Sequence, residues 1–271
     1  MFFLENRIGL FLYHLLPNHV IWKWLSDREK EIVLKNNIIK NNMKYEEAEK
    51  YSEKHNQEGD PLKTPLGKFY ASWIKRVDPS VVLEIGPGGG FYTQVLFETS
   101  EIDEYDEVDC VKKFLTITKH NIRDRYGSKV KISAYHGDFS EVSRELSDSR
   151  YDLILCSGCL HHFPNRIELA NTFQRILKPG GIVLSNEMAH YALRVRKLLK
   201  QYLKLFWCGT KWYMAPGKPC THSGLTLQEL NAMAAESGLK LEFVNWNTKY
   251  GEKKGLFRFI SSRVGFVMRK A

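Results

Sequence analysis

The chain of 271 residues is poorest in acid where it is rich in base: positions 188–225 hold seven Lys or Arg and no Asp or Glu. No apolar run reaches about 18 uninterrupted residues, so no transmembrane helix is expected. Cysteine is sparse. Cys110, Cys156, Cys159, Cys208 and Cys220 make an odd set without framework spacing. That excludes a disulfide scaffold and points to a reducing, cytoplasmic compartment. The apolar N-terminus (Phe2 to Leu16) lacks a basic leader and runs into Pro17-Asn18-His19 rather than a small-residue cleavage site. It is expected to belong to the mature protein, with no signal peptide. There is no internal repeat and no low-complexity tract. With 43% hydrophobic and 26% charged residues, the composition excludes disorder and leaves a folded globular chain.

What is present is a net charge of +9, unevenly spread. Residues 1–80 carry 13 basic and 11 acidic side chains, 81–187 carry 12 and 16, and 188–271 carry 15 and 4. A basic C-terminal third suggests an anionic partner or surface there.

Apolar spacing predicts helices through residues 1–80, the last opening at Thr64-Pro65 and running to Val77. Lys44 to Gln57 reads as a charged, solvated helix. From residue 81 strands and helices alternate. Strands are predicted at Val81–Ile85, Val130–His136, Tyr151–Cys156 and Gly181–Ser185. Helices are predicted at Tyr92–Phe97, Val111–Tyr126 and Ile167–Leu177. Thr226-x-x-Glu229 reads as a capping box opening a later helix, and Leu241–Val244 and Val264–Met268 as closing strands. The alternation predicts an α/β fold with a parallel sheet covered on both faces.

The most informative residues are Glu84, Gly86, Gly88 and Gly90, spaced acidic-x-Gly-x-Gly-x-Gly after a buried strand. Glycines there let a ligand approach the backbone and present N–H groups at a helix mouth. The dinucleotide spacing G-x-G-x-x-G fails, because Phe91 stands where its third glycine would fall. A carboxylate at the strand end repels a pyrophosphate and suits a cofactor with an ammonium and a sulfonium. Glu84 could instead cap the following helix.

This pattern resembles the first motif of the class I S-adenosylmethionine-dependent methyltransferases, small-molecule branch, and the resemblance continues in order through about residue 187. It implies a Rossmann-like, doubly wound, mostly parallel seven-stranded sheet with S-adenosyl-L-methionine as cofactor. Asp109 stands where the family's second strand ends in an acid; its carboxylate can accept two hydrogen bonds from ribose hydroxyls, with Glu107 as fallback. Gly137-Asp138-Phe139 looks like the adenine-binding turn, Asp138 accepting from the exocyclic amine and Phe139 lying near the ring; a plain turn aspartate is the alternative. Cys156 and Ser157 end the fourth strand, whose backbone carbonyls commonly receive the methionine ammonium. Leu160-His161-His162-Phe163 and Leu177-Lys178-Pro179-Gly180-Gly181 are also similar to this branch.

Cys156, Cys159, His161 and His162 could hold a metal, but a structural zinc site brings a second spaced ligand pair, so none is expected. His161 or His162 is the candidate general base, at the sheet edge where open α/β folds bind ligands. His161 could equally pack against the cofactor or cap a helix. Glu187 is a further catalytic candidate. For substrate, Tyr191, Arg194 and His222 are candidates. The Asn/Asp-Pro-Pro-aromatic motif that receives base amines in related enzymes is absent.

The stretch from Met188 has apolar residues at helical spacing with cations between, a basic amphipathic helix in its first part. It could be a solvated face, a substrate cover, an attachment to an anionic membrane, or a nucleic-acid groove, the last disfavoured. The expected architecture is a helical N-terminal cap (1–80) and a methyltransferase domain (81–271) with an inserted helical cover (188–225). The expected activity is methyl transfer to a small, acidic or lipid-like acceptor, at oxygen ahead of nitrogen or carbon. The alternatives are an RNA methyltransferase and a non-catalytic membrane or partner scaffold.

Overall fold

A computed structural model of the chain describes residues 18–44, 50, 52, 59–127, 129–189, 224–246 and 263–271. Two helices come first, α1 (Asn18–Trp24) and α2 (Asp27–Lys44). Ser26 and Glu29 open α2 with a capping box: the Ser26 N–H and hydroxyl both donate to Glu29 Oε2. The expected helix at Lys44 to Gln57 falls almost wholly outside the described residues. Helix α3 (Pro65–Val77) starts where the sequence predicts. Thr64 Oγ1 accepts the Gly67 N–H at 2.9 Å, and proline takes the position whose N–H would have no partner.

Then strands and helices alternate: β1 (Val81–Ile85), α4 (Thr93–Thr99), β2 (Glu104–Asp109), α5 (Lys112–Tyr126), β3 (Lys131–His136) and the short α6 (Phe139–Val142). They continue as β4 (Tyr151–Ser157), α7 (Arg166–Ile176), β5 (Leu177–Met188), α8 (Leu227–Ser237), β6 (Lys240–Trp246) and β7 (Arg263–Arg269). Strand β5 starts earlier than expected, because Leu177 already pairs with Tyr151 before an irregularity in the register lets the Pro179-Gly180 turn pass.

All seven strands form one sheet in the order β3-β2-β1-β4-β5-β7-β6. Pairing is parallel except at β7, which runs antiparallel to both neighbours. The seven-stranded, mostly parallel sheet is the one expected. Strand alternation sorts the apolar residues onto two faces. Val82, Leu153, Leu155, Leu184 and Val267 pack with Leu66, Tyr70 and Ile74 of α3 and with Val95 and Leu96 of α4. Leu83, Ile85, Ile154, Val183 and Phe266 pack with Phe173 and Ile176 of α7 and with Leu230 and Met233 of α8.

Helix α8 opens as expected, Thr226 Oγ1 accepting the Glu229 N–H at 3.0 Å. The Glu229 side chain does not complete the box; it pairs with Arg166 at 2.7 Å, both side chains fully buried. Arg166 Nε also donates to the carbonyl of Leu160, so one guanidinium ties α7, α8 and the turn after β4. The chain leaves β5 at Ala189 and returns at Leu225, and these two residues bridge, with the Leu225 N–H on the Met188 carbonyl. The two ends of the stretch expected as a cover are therefore joined at the C-terminal end of β5. Residues 190–223 between them lie outside the described residues, as do Tyr191, Arg194 and His222.

Candidate active site

The C-terminal ends of the parallel strands form one edge, and the predicted residues gather on it in two groups. The first group surrounds the glycine turn after β1. The Gly86 N–H donates to the Val108 carbonyl, the Gly90 N–H to the Pro87 carbonyl, and Thr118 Oγ1 to the Gly88 carbonyl. Gly86 has φ +67°, and a Cβ there would stand 2.9 Å from that of Cys159. Its glycine is therefore required by the turn after β4 pressing on it, besides any ligand. At Gly89, not singled out from the sequence, a Cβ would stand 2.6 Å from Ser52 Oγ. Ser52 thus lies against the turn, its hydroxyl donating to the Gly89 carbonyl.

Beneath this turn sit three acids on one face of the sheet. Glu84 is buried, and its Oε2 accepts from Tyr105 at 2.7 Å and Thr93 at 2.8 Å. The carboxylate ties β1 to β2 and α4, close to the capping alternative, and burial pushes its pKa up to about 7. Glu107 pairs with Glu84 in register and is fully buried. Neither of its oxygens has a hydrogen-bond partner among the described residues. Burial, then the charges of Glu84 and Asp109, push it to about 9, so it is protonated at neutral pH. Asp109 ends β2, accepts the Val111 N–H at 2.8 Å, and is raised by burial to about 6 against the opposing backbone N–H groups of Val111 and Gly88. None of the three acids is ion-paired among the described residues. Across β3, Asp138 accepts the Ser140 N–H as cap of α6, while Phe139 lies in the core against Phe163 and Phe173.

The second group follows β4. Cys156 is fully buried, and Ser157 Oγ accepts the hydroxyl of Tyr70 at 2.9 Å. Cys159 Sγ donates to the Ile85 carbonyl. Leu160–His162 is a single turn of 3₁₀-helix. Glu187, fully buried on β5, holds it: Oε1 accepts the Cys159 and Leu160 N–H groups at 2.8 Å, and Oε2 meets His161 Nδ1 at 3.0 Å. His161 is itself 7% exposed, and the half-buried His162 ring stands 4.0 Å away. With Nδ1–H donated to the carboxylate, Nε2 carries the lone pair. A crevice of about 560 Å³ lined by Asp60, Gln94, Asn121 and Arg125 opens behind the glycine turn, away from this pair.

Residues 83–201 match the family model of the methyltransferase domain Methyltransf_11. Over residues 83–201 the chain carries a methyltransferase domain. A ubiquinone biosynthesis O-methyltransferase of Hydrogenovibrio crunogenus is 24% identical over 179 residues, 66% of this chain and 69% of that protein. One of the same name from Nitrosospira multiformis is 27% identical over 196 residues, 70% and 75%. A SAM-dependent methyltransferase from Aquifex aeolicus shares the fold with a TM-score of 0.53 at 13% identity, covering 81% of this chain and 98% of that one. The strand order is the usual methyltransferase one. The residues present fit the cofactor: the carboxylate of Asp109 at the end of β2 suits vicinal hydroxyls. Among the described residues, no group of three or more His, Cys, Asp or Glu forms a metal cluster. Nor is any helix there long and apolar enough to cross a membrane.

Sequence reasoning did not find Tyr70, Tyr105, Thr93 or Arg263. Tyr70 and Ser157 meet across 87 positions, which no local pattern reveals.

Proposed function

We propose that this methyltransferase acts on an oxygen of a small, acidic or lipid-like acceptor, with His161 as general base and Glu187 as its positioning residue. The observation that carries the reading is the Glu187–His161 pair. A carboxylate fixed by two backbone N–H groups holds one ring nitrogen, which sets the tautomer and aims the other. Such a base lets a hydroxyl lose its proton as it attacks. When bound, the cofactor supplies a methyl on a sulfonium whose departure leaves a neutral thioether, so the protein mainly aligns acceptor and methyl. Asp109 would hold the ribose hydroxyls, and the glycine turn with the Cys156 and Ser157 backbone would hold the methionine part. The two ubiquinone O-methyltransferases agree with attack by oxygen. The joined ends of the basic stretch beside Glu187 agree with a cover over the acceptor.

The test uses labelled S-adenosylmethionine with a metabolite extract. His161→Ala should lower the rate of label uptake by about 10²–10⁴-fold while leaving S-adenosylhomocysteine affinity unchanged, and added imidazole should restore part of it. Uptake retained within a few-fold would remove the base from the reaction.

A further inference from the structure

Two hydrogen-bond donors flank the turn after β4, and neither has an acceptor among the described residues. Ser157 Oγ accepts the Tyr70 hydroxyl, so its own proton points elsewhere, and no described residue takes it. Arg263 opens β7 at this edge, opposite Met188 in register. Its guanidinium reaches back over the turn after β4. Nη1 lies 3.5 Å from where a Cβ on Gly158 would be, and the φ of +74° there favours glycine. The guanidinium is also near enough to Tyr70 to oppose the burial that raises that hydroxyl's pKa. Strand alternation puts Ser157 and Arg263 on the face of Leu155 and Val267, where Tyr70 packs.

No carboxylate pairs with Arg263 among the described residues. Glu187, the acid at this end of the sheet, is engaged by two backbone N–H groups and His161. Arg263 and Ser157 are both half-buried, within reach of a ligand. A guanidinium offers a planar fork of N–H donors matched to an oxyanion, and a hydroxyl beside it adds another. From β2, which carries Asp109, to β7 is four strand steps, about 19 Å at the usual spacing.

We propose that Arg263, with Ser157, receives an anionic oxyacid group of the methyl acceptor, a carboxylate or a phosphate. This rests on the methyl-transfer reading above and adds the group by which the acceptor is recognised. The acid is bound at one point and the nucleophilic oxygen is left for His161.

The test uses the full chain as wild type, Arg263→Gln and Arg263→Lys. Each is incubated with labelled S-adenosylmethionine and dilute metabolite extract, and the labelled product is passed over an anion exchanger. The product should be retained. Arg263→Gln should cut its formation about tenfold to a hundredfold, more extract should recover it, and Arg263→Lys should fall between. Phosphatase treatment frees the label if the group is a phosphate and leaves it bound if it is a carboxylate. S-adenosylhomocysteine affinity, measured by calorimetry, should be the same in all three proteins. A product that passes the exchanger, or undiminished formation by Arg263→Gln, overturns the proposal. So does a matching loss of S-adenosylhomocysteine affinity, which would assign the guanidinium to the cofactor's own carboxylate. No uptake by the wild type, with S-adenosylhomocysteine still bound, removes the small-acceptor reading and the anion site with it.

Discussion

Glu187 and Glu229 on one side of the strand edge, and Glu84 and Glu107 on the other, are held in opposite ways. Glu187 on β5 has two backbone N–H groups and a histidine, and Glu229 on α8 has Arg166 on one oxygen. Around β1 and β2, Glu84 has only two hydroxyls and Glu107 has no hydrogen-bond partner among the described residues. The first arrangement fixes side chains in one geometry. The second leaves two acids beneath the glycine turn that hold their protons into the neutral range, Glu84 up to about 7 and Glu107 up to about 9.

The largest effect should come from unpairing the fixed end. Arg166→Met leaves Glu229 buried without its cation and frees the Leu160 carbonyl, so urea unfolding should show a loss of about 3–5 kcal/mol. Adding Glu229→Leu should recover much of it. If the single variant costs nothing, the contrast between the two ends is wrong.

Glu187→Gln tests positioning. It keeps one oxygen for the backbone but no longer holds His161 Nδ1 with charge. The rate of label uptake should fall about tenfold with S-adenosylhomocysteine affinity unchanged, because a hydrogen bond to a charged group contributes about 1.5–3 kcal/mol. An equal loss in affinity would mean that Glu187 serves the cofactor.

The smallest effect belongs to the unpaired end. Glu107 binds its proton in the folded chain up to about pH 9, and Glu84 up to about 7. Their unfolded values lie near ~4.3. The folded state thus holds more protons through this window, and stability falls as pH rises across it. Glu107→Gln should flatten that slope and raise the Tm at alkaline pH by about 2–4 °C, with no gain near pH ~4. A variant that melts earlier at alkaline pH would mean that the carboxylate has a partner.

Much of this arrangement was legible in the sequence. The strand and glycine periodicity located β1, its turn and β4, because buried parallel strands read as short apolar runs and turns need glycine. Asp109 was singled out through the resemblance to the family's second-strand acid, and it does end β2. Legibility ended where function depends on contacts between distant segments. The sequence offered Glu187 as a catalytic candidate without its link to His161, and offered Glu84 as a cofactor ligand while its partners Thr93 and Tyr105 were hidden. Glu229 was expected to close a capping box, but a buried guanidinium outcompetes a backbone N–H for a carboxylate. Arg263 had no local signal, since a lone arginine before a strand is common and only the sheet brings it over Gly158.

The division of the edge is tested most directly by titrating S-adenosylhomocysteine into wild type, Asp109→Ala and His161→Ala by calorimetry. Asp109→Ala should lose about tenfold or more in affinity, the loss of charge-assisted hydrogen bonds to the ribose. His161→Ala should match the wild type, and wild-type affinity should weaken as pH falls through about 6, where Asp109 takes up a proton. Full affinity in Asp109→Ala, or an equal loss in His161→Ala, would contradict a cofactor end at β1 and β2 and an acceptor end at β4 and β5.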